Sequence, residues 1–269
     1  MIKAAVLGSP ISHSLSPLLH NRAYEILGIE GEYSAIEVKA DTLETFLQES
    51  INEEWSGFNL TMPLKESVLA SSLVDCDDLS SRTRSANTLV LSGNRYRATS
   101  TDATAFERLL QPYAVDRVAI IGGGGTARAA VAALAERSAS ISVLLRTLNR
   151  IDVMEQIAPK VEFSVETMDS TLEGFDLVIN TTPAGVADRF VASLGNVSGL
   201  YFESLYHPWP TELSFAWSQL GGKVLHGLDL LVEQALDAIS LMTDIRFDYS
   251  SMREELLKVA IARLDSQLS

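Results

Sequence analysis

Two stretches of the chain carry residue types and spacings that bear on chemistry. RVAIIGGGGTARAAVAAL sets Gly122, Gly124 and Ala127 in a GxGxxA pattern, directly after an apolar strand and directly before an alanine-rich helix. Glycine permits a tight turn and lets backbone N–H groups approach an anion at a helix start, where the macrodipole favours negative charge. Gly122, Gly123, Gly124, Gly125, Thr126 and Ala127 are therefore candidates for cradling the pyrophosphate of a dinucleotide, against the plainer alternative of a flexible strand-to-helix turn. The next apolar strand, ISVLL, runs into Leu145, Arg146 and Thr147, with Arg150 beyond, and offers no carboxylate where an NAD ribose would be held. Guanidinium groups there suit a 2′-phosphate, so Arg146 and Arg150 predict NADP as the cofactor. After a third strand, DLVINTTPAG places Thr181 either at the cofactor crevice or in an ordinary proline turn.

The second stretch is GFNLTMPLK. It finishes a short apolar strand with Asn59 and Thr61, fixes the turn with Pro63 and then offers Lys65. Upstream, GSPISHSLSPLLHN brings Ser14 and Ser16 to a loop before a helix that Pro17 opens, with Ser16 as its natural N-cap. Hydroxyls at a helix start also suit a small carboxylate, and capping gives Ser14 no role. Taken singly, Lys65 reads as a solvated lysine at a helix start and Asp102 as a cap for a helix at Ala103.

The elements that must position these groups alternate along the chain. Strands are expected at Ile2 to Leu7, Tyr33 to Val38 and Gly57 to Leu60, with helices after Pro17 and from Asp41. Asn87 to Leu91 and Arg95 to Ala98 flank Ser92-Gly93-Asn94 as a β-hairpin. A helix follows TSTD to about Leu110. A second alternation runs through RVAII, ISVLL, a helix near Val153, a strand near Val161, DLVIN, GLYFE and KVLHG, as in a doubly wound sheet. The tail from Leu228 reads as two helices that return to the first domain. The fold class is α/β with two α/β domains: residues 1–101 plus 237–269 as a substrate domain completed by C-terminal helices, and 102–236 as a Rossmann-type dinucleotide domain.

Composition narrows the partners. With 35 acidic against 21 basic residues the formal charge is -14, which argues against nucleic acid and against a membrane surface. One cysteine and four scattered histidines give neither a disulfide nor a metal-ligand spacing, so no metal is expected. The reading is a cytoplasmic protein with a small-molecule substrate, a homodimer being open as its assembly.

The ordered set of GSPISHSLSPLLHN, GFNLTMPLK, SANTLV, TSTD, GGGGTARA, INTTPAG, SLYHPWPTEL and GLDLLVEQA resembles shikimate dehydrogenase from one end of the chain to the other. That resemblance implies NADPH-dependent reduction of 3-dehydroshikimate to shikimate, a step of aromatic amino acid biosynthesis. It implies that Ser14 and Ser16 hold the substrate carboxylate with Tyr206 nearby, and that Asn59, Thr61, Asn87, Asp102 and Gln234 surround the ring hydroxyls. Lys65 falls on the catalytic position with Asp102 as its partner, and Gly227 on the turn that meets the nicotinamide. An ammonium there would stabilise and protonate the oxygen that gains charge as hydride arrives. Glu203 stands where the family commonly has Asp, and Leu145 where it has Asn. A quinate or aminoshikimate preference, and a noncatalytic NADP-binding sensor, remain as alternatives.

Overall fold

The computed structural model describes residues 1–146, 151–168 and 170–268. The chain divides into two compact units, Met1–Asp102 with Leu231–Ser269, and Ala103–Leu230. Both divisions fall inside helices.

The first unit contains β1 (Ile2–Gly8), α1 (Ser16–Leu27), β2 (Gly31–Glu37), α2 (Leu43–Ser50), β3 (Gly57–Leu60), α3 (Leu64–Ser67), β4 (Val74–Cys76), α4 (Asp78–Thr83), β5 (Thr88–Ser92) and β6 (Arg95–Thr99). Its sheet runs β2-β1-β3-β5-β6-β4, with β1 parallel to both β2 and β3 and the β5–β6 hairpin antiparallel. Every residue of β3 is buried, as a strand covered on both faces requires, whereas β2 at the sheet edge is only half-buried. The core beneath is aromatic: Phe58 meets Phe46, Trp55 and Tyr96 at ring-centroid distances of 5.3, 4.9 and 5.7 Å. Burying one such ring contributes roughly 2–3 kcal/mol.

Several local expectations shift. Leu15 already has near-helical backbone angles, so α1 begins at Ser16 and that residue makes no side-chain cap. The helix expected from Asp41 starts at Leu43, because Thr42 turns back to bond Lys39. Strand β4 and helix α4 have no counterpart in the sequence reading. Three residues, with Asp75 among them and two more aspartates following, carry too little pattern, and pairing with β6 is what makes them a strand. Asp77 then caps α4 by accepting from Ser80 N–H at 2.7 Å.

Helix α5 (Thr101–Leu110) leads into β7 (Arg117–Ile121), α6 (Gly125–Leu134), β8 (Ser140–Leu144), α7 (Ile151–Ile157), β9 (Glu162–Glu166), β10 (Leu177–Asn180), β11 (Leu200–Glu203), α8 (Glu212–Gln219) and β12 (Lys223–Leu225). The second sheet is parallel throughout, in the order β12-β11-β10-β7-β8-β9. Chain order reverses between β7 and β10, the switch point at which doubly wound sheets receive ligands. Helices α9 (Gly227–Thr243) and α10 (Tyr249–Leu268) end the chain. In the first unit α10 lies against α1, where Arg22 reaches Glu255 at 3.7 Å, and Arg253 pairs with the buried Glu233 of α9 at 2.7 Å.

Candidate active site

In the first unit, four of the singled-out side chains converge from α3, the segment before β5, α5 and α9. Lys65 Nζ donates to Asp102 Oδ2 at 2.5 Å, with the carboxylate side chain 7% exposed and the lysine 20%. Asn87 and Asp102 are bonded reciprocally: the Asn87 amide donates to Asp102 Oδ1 at 3.1 Å and accepts from the Asp102 backbone N–H at 3.3 Å. The same Asn87 NH2 donates to Thr101 Oγ1 at 2.8 Å and Gln234 Oε1 at 3.3 Å, while Gln234 Nε2 is held by Leu231 O. Lys65 is also fixed through its main chain, its carbonyl accepting from Ala86 N–H at 2.9 Å. A short helix after a proline turn thus carries an ammonium whose charge is balanced by a carboxylate that cannot rotate. Removing either partner would strand the other in a poorly solvated place.

Asn59 stands at the end of β3, 4% exposed, accepting from the Tyr33 hydroxyl at 2.7 Å and donating to Thr88 Oγ1 at 3.0 Å and Asn87 O at 3.3 Å. It belongs to the same polar net as Lys65. Thr61 follows at the turn, half-buried, with its carbonyl accepting from Leu64 N–H. Ser14 does have a local partner: its Oγ accepts from Ser16 N–H at 3.3 Å, taking the role expected of Ser16. Ser16 itself is 5% exposed in the first turn of α1.

The second unit holds the glycine loop at the switch point. Gly122 follows β7 with φ +113°, and a Cβ there would meet Thr181 Oγ1 at 2.5 Å. Only glycine takes that conformation at that distance without strain. Gly124 precedes α6 in extended conformation, and Gly125, Thr126 and Ala127 form its first turn, so the loop ends at the helix start where the macrodipole favours an anion. Thr181 donates both its N–H and its hydroxyl to Ile121 O at 2.9 Å, so its side chain braces the β7 end. Arg146 is exposed just beyond β8; Arg150 lies outside the described residues. Tyr206 sits half-buried after β11. Gly227 opens α9, where a Cβ would come within 2.5 Å of the Ser204 and Leu205 carbonyl groups.

Two supports had no role assigned from the sequence. Glu203, noted there only as a departure from the family's Asp, is fully buried and accepts from Asn180 Nδ2, the Tyr201 hydroxyl, Thr211 Oγ1 and Leu205 N–H, all at 2.8–3.2 Å. Neutral donors alone satisfy it, and Asn180 Oδ1 is thereby left to fix Thr182. Tyr33 was the other. Alternation along β2 marks it as inward-facing, but nothing in the sequence says that its hydroxyl meets Asn59.

A parallel sheet with a glycine loop at its switch point in one unit, and a lysine and an aspartate paired from two helices in the other, define a two-unit α/β protein of the dinucleotide-dependent dehydrogenase class. The model of the shikimate dehydrogenase substrate binding domain matches residues 6–89. A shikimate dehydrogenase (NADP(+)) of Methanococcoides burtonii is 32% identical over 248 residues, 89% of this chain and 91% of that protein. The crystal structure of Mycobacterium tuberculosis shikimate dehydrogenase superposes with a TM-score of 0.87 at 32% identity, covering 96% of this chain and all of that one. That of the Thermus thermophilus enzyme in complex with NADP(H) and shikimate gives 0.81 at 29%, covering 96% and 100%. The chain belongs to the shikimate dehydrogenase family.

No helix among the described residues is long and apolar enough to cross a membrane, and no group of three or more His, Cys, Asp or Glu among them is placed to hold a metal ion.

Proposed function

We propose that this chain is an NADP-dependent shikimate dehydrogenase that reversibly reduces 3-dehydroshikimate to shikimate. The observation that carries the reading is the Lys65–Asp102 pair, locked by Asn87 within a cluster that also contains Asn59 and Gln234. A noncatalytic sensor has no use for a lysine held in this way.

In the direction of reduction, negative charge grows on the substrate carbonyl oxygen. The Lys65 ammonium spends one N–H on Asp102 and has its positive charge held close to that oxygen, where it stabilises the charge and delivers a proton from Nζ. Asp102 and Asn87 keep the ammonium in one orientation, so no reorganisation is needed during the reaction. In the reverse direction the amine, having lost its proton, takes up that of the shikimate hydroxyl. Asn59, Thr61, Asn87 and Gln234 bind ring hydroxyls, and Ser14, Ser16 and Tyr206 hold the carboxylate. Substrate binding belongs to the first unit with the α9–α10 tail.

The residues of the second unit fit NADP, as the glycine-only approach at Gly122 and the exposed Arg146 beyond β8 indicate. The nicotinamide supplies or accepts the hydride when bound. Gly122 to Ala127 would hold the pyrophosphate, Arg146 and Arg150 the 2′-phosphate, and Thr181 and Gly227 the crevice walls. The lone cysteine, Cys76, supports a reducing cytoplasmic setting as part of the same reading.

The test is initial-rate measurement at 340 nm with shikimate, quinate and aminoshikimate, each with NADP⁺ and NAD⁺. Turnover should be highest for shikimate with NADP⁺. Binding of NADP⁺ without turnover of any of the three acids would instead leave a sensor.

A further inference from the structure

Helix α1 contributes two neighbours, His20 and Asn21, that the chemistry above leaves unused. Both grip Tyr33 of β2. The His20 ring stacks on the Tyr33 ring at a centroid distance of 3.8 Å and an interplanar angle of 22°. Asn21 clamps the Tyr33 main chain from both sides, Nδ2 donating to Tyr33 O at 2.8 Å and Oδ1 accepting from Tyr33 N–H at 2.9 Å. His20 is fully buried and neither ring nitrogen has a hydrogen-bond partner, so the ring acts as an aromatic plate and not as an acid or base.

Register explains how Tyr33 reaches the site. Tyr33 pairs with Ala4 of β1, and Ala4 pairs on its other side with Gly57, two residues before Asn59 on the same face of β3. Two strand spacings span roughly 9–10 Å. The small Ala4 and Gly57 in register with Tyr33 leave the phenol ring room to extend across β1, and its hydroxyl meets Asn59 Oδ1 at 2.7 Å. An amide oxygen only accepts, so Tyr33 is the donor. Burial also pushes the Tyr33 hydroxyl well above the usual phenol range, keeping its proton in place.

We propose that Tyr33 is a positioning residue for substrate recognition: held by His20 and Asn21, its hydroxyl fixes the Asn59 amide with the carbonyl toward β2 and the NH2 toward β5. Both N–H bonds of that NH2 are taken by Thr88 Oγ1 and Asn87 O. The open position on the amide is the second lone pair of Oδ1, so a ring hydroxyl meets Asn59 as a donor. Without the Tyr33 hydroxyl only the longer bond to Asn87 O at 3.3 Å still distinguishes the two ends of the amide, and the flipped arrangement, which presents nitrogen to the substrate, becomes populated. The substrate contact rests on the shikimate dehydrogenase reading; the orientation of the amide does not.

The experiment compares wild type, Tyr33→Phe, His20→Phe and His20→Ala. Tyr33→Phe should raise KM for shikimate about tenfold while leaving kcat within about threefold, because a contact made equally in ground and transition states is lost. The dissociation constant for NADP⁺ should stay within about twofold, since no cofactor contact changes. NMR of the Asn59 side-chain NH2, assigned by its loss in Asn59→Ser, should show hydrogen exchange about tenfold faster in Tyr33→Phe. His20→Phe keeps the plate and should match wild type in both readouts. His20→Ala removes it and should raise KM, which keeps the proposal exposed if Tyr33→Phe fails to fold. A folded Tyr33→Phe with unchanged KM or unchanged amide exchange overturns the proposal, as does an unchanged KM in His20→Ala. Absence of turnover in the wild type would sink the activity reading, and the amide exchange would still decide what Tyr33 does.

Discussion

The first unit's polar cluster is assembled from side chains on β2, β3, α3, the segment before β5, α5 and α9, whereas the site we propose in the second unit is one contiguous glycine loop leading into the start of α6. In the first, each group is aimed by another side chain: Asn87 aims Asp102, Asp102 aims Lys65 and Tyr33 aims Asn59. In the second, side chains such as Thr181 brace the backbone and stay out of the way. The contrast suits the two ligands. A ring with several hydroxyls must be read atom by atom, which takes directed donors and acceptors. A pyrophosphate presents the same charge in many orientations and is served by N–H groups at a helix start.

The comparison breaks first at Lys65. Lys65→Ala should lower kcat on the order of 10³-fold while KM for shikimate changes little, in steady-state assays, because general acid–base catalysis is what the ammonium supplies. An unaltered kcat would remove the side-chain half of the contrast. The main-chain half is tested by Gly122→Ala: with φ at +113° and Thr181 Oγ1 in the way, the loop must shift to relieve strain and clash together, and NADP⁺ affinity should fall roughly 30-fold by titration calorimetry. Equal affinity would mean the loop does not approach the cofactor closely. Arg146→Ala refines the picture, with an expected loss of about tenfold for NADP⁺ and almost none for NAD⁺. Equal losses would deny it the 2′-phosphate.

The smallest effect concerns His20. Burial lowers its pKa from 6.5 to about 3. Between those values the unfolded chain binds the proton and the folded chain does not, so stability is complete above pH 6.5 and drains as pH falls toward 3. The contribution is about 1.4 kcal/mol per pH unit across that window. Urea unfolding of wild type and His20→Phe at pH 7, 6 and 5 should give curves that diverge by this slope. Parallel curves would show that His20 is protonated in the folded state.

The same contrast governs what could be read before the structure. The glycine loop is contiguous, and its setting after RVAII and before an alanine-rich helix is written locally, so its position at the sheet's switch point follows from the alternation of elements. Lys65, Asn87, Asp102 and Gln234 each have an unremarkable reading in isolation, and only family resemblance grouped them; the hydrogen bonds that join them are tertiary. Ser14 takes the local bond expected of Ser16 because one residue, Leu15, took helical angles a step early. Strand β4 is set by its neighbour β6 and not by its own three residues. Glu203 stood out only as a longer acid in an unusual place, and its ring of neutral donors explains why the added methylene is accommodated.

The close pairing of Lys65 with Asp102 has a kinetic corollary. The pair carries no net charge, Ser14 and Ser16 are neutral, and the whole chain bears -14, so an organic anion diffusing in from bulk solvent feels long-range repulsion with little local attraction to offset it. Added salt should therefore quicken capture of the acid, the reverse of what enzymes that draw in their substrates by electrostatic steering display.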